Sequence, residues 1–172
     1  MLNTLGLYLN QLGSEGGEAI ANVLHKNNSL TELELSHNNL GYLGGNVLIN
    51  ALCNNKTLTS IDISSNKLGS DIGETHFRYL LYNLGLEGGK ALASALCKNK
   101  GLKSLDLSYN KLKNNVGKEL VEVFHMNTTL STLKFNRNEF NPEIEKQLEE
   151  NIKSDSLDIE FDSDNDSIVT IC

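Results

Sequence analysis

The sequence predicts an α/β solenoid: a right-handed β-α superhelix in an open horseshoe arc, with a parallel sheet on the concave side and helices on the convex side. Two observations lead there. Leucine-like residues and an asparagine recur in one fixed pattern, and each copy is followed by a glycine-rich stretch with helical apolar spacing. The pattern reads Leu2, Leu5, Leu7, Asn10, Leu12, then Leu30, Leu33, Leu35, Asn38, Leu40, then Leu58, Ile61, Ile63, Asn66, Leu68. It returns as Leu102, Leu105, Leu107, Asn110, Leu112 and as Leu130, Leu133, Phe135, Asn138, Phe140. A period of this length is the mark of a repeat array, in which no unit can bury its own apolar face.

Each element follows from spacing. Leu33 and Leu35 stand two apart and point to one face of a short strand, so Glu34 points to the other. Such a strand is useless alone, but stacked strands form a sheet with edges only at its two ends. Asn10, Asn38, Asn66, Asn110 and Asn138 stand where the chain leaves each strand. There a side-chain amide can bond free backbone groups and tolerate a turn, so a ladder of asparagines is expected along the array. In Gly45–Leu52, Val47, Leu48, Ala51 and Leu52 make one apolar helical stripe, with Gly44-Gly45 allowing a close turn before it.

The pattern resembles that of leucine-rich repeat proteins across 1–153. The 28-residue period, with "LGSEGGEAIANVL", "LGYLGGNVLINAL" and "LGLEGGKALASAL", resembles the ribonuclease-inhibitor subclass. The resemblance implies a protein-binding arc without chemistry of its own. The acidic C-terminal segment also gives a thinner likeness to the GTPase-activating proteins of Ran, whose functional residues cannot be matched here.

One unit breaks the rhythm. Leu84-Gly85 follows Leu68-Gly69 after only 16 residues. Counting back 28 residues from Leu102 puts a further strand at Phe77 and Tyr79, which gives about six repeats with the third shortened to 58–73. The rival reading is a helix, since Phe77, Leu80, Leu81 and Leu84 also fit helical spacing. The strand is favoured because Thr75 and His76 suit a helix core badly.

At the ends, Asn141-Pro142 predicts an N-cap and first-turn proline for a closing helix near 142–153. The first repeat is expected to leave an open strand edge, covered by further repeats of a longer protein or by another chain. Residues 154–172 hold six acids and no Lys or Arg, and read as a disordered tail. With the tail removed from the net charge of −7, the body is nearly neutral and offers no footprint for nucleic acid. No apolar run is long enough for a membrane helix, no signal peptide is evident, and three cysteines form no framework. A cytoplasmic or nuclear setting is expected.

The search for chemistry ends empty. His25, Cys53, Cys97 and His125 share one register, but helices about 8–10 Å apart cannot bring a ladder of side chains to one zinc ion. Asp162, Asp164 and Asp166 lack the turn glycine of a calcium loop. Asn27, Asn55 and Asn127 match N-x-S/T only because the return loop repeats. No nucleophile, metal or phosphate motif is present, so no enzyme activity or cofactor is expected. The partner-binding candidates are the strand residues facing the hollow: Tyr8, Glu32, Glu34, Asp62, Arg78, Asp106 and Lys134. Their mostly acidic column suits a protein with a basic surface.

Overall fold

The computed structural model describes residues 2–69, 89–124, 126–153 and 168–170. Strands β1 (Thr4–Gly6), β2 (Glu32–Glu34), β3 (Ser60–Asp62), β4 (Ser104–Asp106) and β5 (Thr132–Lys134) run parallel in one sheet, in chain order. Helices α1 (Gly13–Leu24), α2 (Gly41–Leu52), α3 (helical over 89–98), α4 (Asn114–Phe124) and α5 (Pro142–Lys153) alternate with them. The result is an α/β leucine-rich solenoid. The apolar middle residues of the strands stack in register, Leu5 on Leu33, Ile61, Leu105 and Leu133, and all but the terminal Leu5 are buried.

The strand-leaving asparagines form a continuous ladder. Asn38, Asn66, Asn110 and Asn138 each accept through Oδ1 the backbone N–H of the preceding asparagine, at 2.9, 2.9, 2.9 and 3.1 Å. The Asn66 Nδ2 donates to Leu35 O at 2.8 Å in the coil before and to Ile63 O at 3.1 Å in its own. The asparagines do not themselves take the turn conformation. Their flanking residues do: His37 and Asn39 have φ of 57° and 54°, Ser65 and Lys67 55° and 58°, Tyr109 and Lys111 both 57°. Non-glycine residues pay roughly 1–2 kcal/mol each for this left-handed geometry. The bonds made by the tucked amide offset that cost.

A second ladder runs along the other side of the core. Asn55 Nδ2 donates to Leu24 O at 2.9 Å, Asn99 Nδ2 to Leu52 O at 2.6 Å, and Asn127 Nδ2 to Leu96 O at 2.6 Å. Leu24 and Leu52 are the last residues of α1 and α2. Their carbonyls have no partner within the helix, and the next coil supplies one. The same asparagines accept from the backbone two and three residues on, as in Thr57 N to Asn55 Oδ1 at 3.1 Å and Leu58 N to Asn55 Oδ1 at 2.8 Å. The N-x-S/T match of the return loop is thus a structural turn.

Helix boundaries differ from the sequence reading. The glycine pair lies inside α2 rather than before it, because the helices pack through it: a Cβ on Gly17 would stand 2.7 Å from the Gly44 Cα. The apolar stripe also turns slightly. Ile49 is buried with Leu48, Ala51 and Leu52, while Val47 faces out.

The irregular unit is resolved at the sheet. β3 pairs directly with β4, Ser60 opposite Ser104 and Asp62 opposite Asp106, and Asn66 N reaches Asn110 Oδ1 across 44 positions rather than 28. The sheet leaves no place between them for the expected extra strand, so among the described residues the parallel stack has five strands, joined by four asparagine rungs. Phe77 and Tyr79, on which that strand was placed, lie outside the described residues. At this junction the backbones close tightly, since a Cβ on Gly69 would run into the Lys111 carbonyl oxygen.

The closing helix starts as its sequence indicates: Asn141 Oδ1 accepts Ile144 N–H at 2.9 Å, and Ile144 and Leu148 are buried. Within the acidic segment read as a disordered tail, residues 168–170 form β6 (Ile168–Thr170), antiparallel to β5. Residues 154–167 lie outside the described residues.

Asn66→Ala is expected to lower stability by about 3 kcal/mol or more, since it leaves buried backbone groups of two coils unpaired. Asn10→Ala, whose exposed amide bonds only Tyr8 O, should change it by no more than about 0.5 kcal/mol. Urea unfolding of both variants checks the contrast.

Candidate partner-binding face

Alternation along each strand places one column of side chains in the hollow of the arc. The sheet register sets Gly6, Glu34, Asp62, Asp106 and Lys134 side by side. Glu32 stands in the neighbouring column, where its Oε2 accepts from Thr4 Oγ1 at 3.1 Å. Arg78 lies outside the described residues and takes no part in this row.

The row grades from open to enclosed. Glu34 is exposed, and its carboxylate lies over Gly6, where a Cβ would be 3.7 Å from Oε2. Asp62 and Asp106 are half-buried, and each Oδ1 accepts the backbone N–H two residues on, Ser64 at 2.8 Å and Ser108 at 2.9 Å. These bonds fix the carboxylates upright over the sheet. Lys134 Nζ stands 3.8 Å from Asp106 Oδ2.

Burial pushes the Asp106 carboxyl above the usual carboxylate range, against the lowering effect of its bonds to Ser108. The negative charge of Asp62 raises it further, and Lys134 opposes. Ionising a carboxyl here therefore carries a cost in stability.

Tyr8 heads the third column, which continues through Ser36, Ser64, Ser108 and Asn136. It is 49% exposed and meets the His37 ring edge-on at 5.3 Å. Asn136 Oδ1, beside Lys134, is buried without a hydrogen-bond partner among the described residues. Reading strand alternation alone missed the next row. Leu9, His37, Ser65, Tyr109 and Arg137 all take positive φ just after each strand, which places them along the rim. Leu9 and Tyr109 are more than half exposed there. The available signal was their register one residue before each ladder asparagine, where a bulky apolar or aromatic residue has no core to enter.

The other sequence candidates do not gather. His25 is exposed, Cys53 and Cys97 are half-buried free thiols, and no group of potential metal ligands occurs among the described residues. His125 lies outside them. No helix among the described residues is long and apolar enough to cross a membrane.

The raised affinity of Asp106 for its proton has a direct consequence. The folded chain binds this proton more tightly than the unfolded one, so ionisation costs stability as pH rises through the raised pKa. Asp106→Asn, which keeps an acceptor for Ser108 N–H, should raise Tm at pH 7. The gain should shrink on acidification and vanish below the ordinary carboxylate range, as followed by thermal unfolding across pH.

Comparison with known proteins agrees with the geometry. The family model described as Leucine Rich repeat matches residues 1–21, 26–48, 54–75 and 98–120, together more than half of the chain. No curated protein matches the sequence. Among solved structures, the fold is similar to that of leiomodin-1 actin-binding site 2, with TM-score 0.63 and 18% identity over 88% of this chain and 82% of that one. It is also similar to the tropomodulin C-terminal domain of Caenorhabditis elegans, with TM-score 0.59 and 13% identity over 88% and 83%. A chain of the yeast Rad7 and Elc1 complex matches with TM-score 0.55 and 18% identity over 83% of this chain but 30% of its own. Repeat pattern, parallel stack and family match converge: the chain belongs to the leucine-rich repeat family.

Proposed function

We propose that the chain is a non-catalytic interaction module that holds a protein with a basic surface in the hollow of its arc. Its units are of the ribonuclease-inhibitor type, which the twelve-residue helices α1 and α2 and the 28-position register of β1 to β3 support. The observation that carries the reading is the acidic row Glu34, Asp62 and Asp106, set side by side by the sheet register, with Asp62 and Asp106 held by backbone N–H groups. Such a row attracts Lys and Arg groups of a partner and sets their register. Tyr8 at one end and Tyr109 on the rim supply aromatic anchors. Leiomodin-1 actin-binding site 2, a domain of the same fold, makes actin the first named protein to test. The setting proposed is the cytosol or nucleus.

A GTPase-stimulating role is the second reading, and the acidic C-terminal segment is its support. Unchanged GTP hydrolysis across small GTPases in the presence of the chain removes it.

Glu34→Lys combined with Asp62→Lys should weaken binding of a Lys-rich peptide at least tenfold by calorimetry and abolish any co-sedimentation with actin filaments. The double variant should still unfold cooperatively, losing about 1 kcal/mol for the Ser64 N–H bond that Asp62 gives up, because neither side chain enters the core. Equal binding by the double variant overturns the concave-face assignment.

A further inference from the structure

We propose that the helix-to-strand rim of the arc is a second docking surface, which takes a carboxylate-rich segment of another protein. The four return loops span residues 25–31, 53–59, 97–103 and 125–131. They contain five lysines, Lys26, Lys56, Lys98, Lys100 and Lys103, and neither an aspartate nor a glutamate. All five lysines are exposed, and none of them takes part in an ion pair among the described residues. The strands of the same coils carry the opposite charge, since Asp62 and Asp106 face the hollow. The near-neutral body is thus divided, with acid in the hollow and base along this rim.

The return-loop ladder gathers three of these charges. Asn99 Nδ2 donates to Asn55 O at 3.0 Å, and Lys103 N donates to Thr59 O at 2.8 Å. A Cβ on Gly101 would stand 2.8 Å from Lys56 O, so the two loops lie backbone against backbone. Lys56 and Lys100 directly follow Asn55 and Asn99, which makes them neighbours across one coil spacing. Lys103 stands beside them, just before β4. The irregular unit creates this group, because it sets residues 44 positions apart in adjacent coils. The last carbonyls of α1 and α2 are already met by Asn55 and Asn99, so these lysines are not needed to close a helix.

The chemistry of the rim selects its occupant. Five unpaired cations attract an anion, and the side chains beside them decide which kind. Single-stranded nucleic acid is held by aromatic stacking as well as by charge, and these loops contain no Phe, Tyr or Trp. Phosphate groups are bridged best by the planar fork of arginine, and the loops contain none. Stable attachment to an anionic membrane takes an apolar anchor beside the basic cluster. Met126, on the next coil, is the one large apolar side chain exposed in these loops among the described residues. Lysines act as point charges on flexible stems, which suits carboxylates spaced along an extended peptide.

Fluorescence anisotropy of a labelled glutamate decapeptide, titrated with the whole chain, tests this. The peptide should bind at an ionic strength of about 0.01 M and dissociate at about 1 M, where charges act over only roughly 3 Å. Lys56→Glu combined with Lys100→Glu should weaken binding about tenfold or more, since two attractions become repulsions. That variant should unfold like wild type, because both side chains are exposed. Glu34→Lys with Asp62→Lys, which disables the hollow, should bind the glutamate peptide at least as tightly as wild type, so the two surfaces fail separately. Absence of peptide binding at low ionic strength overturns the proposal, as does equal binding by the rim variant. So does tighter binding of a thymidine oligonucleotide or of phosphatidylserine vesicles than of the peptide. Self-association that the rim variant abolishes assigns the surface to a second copy of the chain and overturns it too.

Discussion

A chain that turns every few residues must find partners for the backbone groups that each turn strips from the strands and helices. In this molecule asparagine side chains supply them, bridging each coil to its neighbour. Each strand-leaving asparagine satisfies its own coil and the one before, and the asparagines of the return loop do the same for the ends of the helices. Two ladders therefore pin the coils on opposite sides of the leucine core. Neither ladder could form in a single coil, because the donor and the acceptor of each rung belong to adjacent coils. The cost of the sharp turns falls on the flanking residues, which adopt left-handed geometry although none of them is glycine.

This constraint explains how the solenoid tolerates its irregular unit. The rung from Asn66 to Asn110 has the same 2.9 Å length as the rung from Asn38 to Asn66, although the chain between its ends is far longer. The sheet registers Ser60 with Ser104 as it registers Glu32 with Ser60. What must match between coils is the strand, the asparagine and the close backbone approach at Gly69. The number of residues between successive asparagines is not fixed by that match. A solenoid thus carries its regularity on one face, where polar backbone groups demand it, and that is also the face that lines the hollow.

The same regularity orders the hollow. It carries a row of carboxylates ending in Lys134, with Asp62 and Asp106 held by bonds to backbone N–H groups two residues on. The row crosses the strands, so its spacing is set by the distance between coils and not by spacing along the chain.

Much of this was legible in the sequence. The period gave the strands, period-two alternation assigned Glu34, Asp62, Asp106 and Lys134 to one face, and Asn141-Pro142 marked the last helix. Those features depend on spacing along the chain, and spacing survives in a one-dimensional record. Counting by a fixed period failed at the irregular unit, where it interpolated a strand between β3 and β4. A constant period is a property of most coils, whereas the pairing of Ser60 with Ser104 is a property of the assembled sheet. The second asparagine ladder, the rim row of Leu9, His37 and Tyr109, the pairing of β6 with β5 and the burial of Asp106 were likewise decided in three dimensions. Each depends on which groups of one coil lie against groups of another, and that proximity exists only once the backbone polar groups of both have been satisfied together.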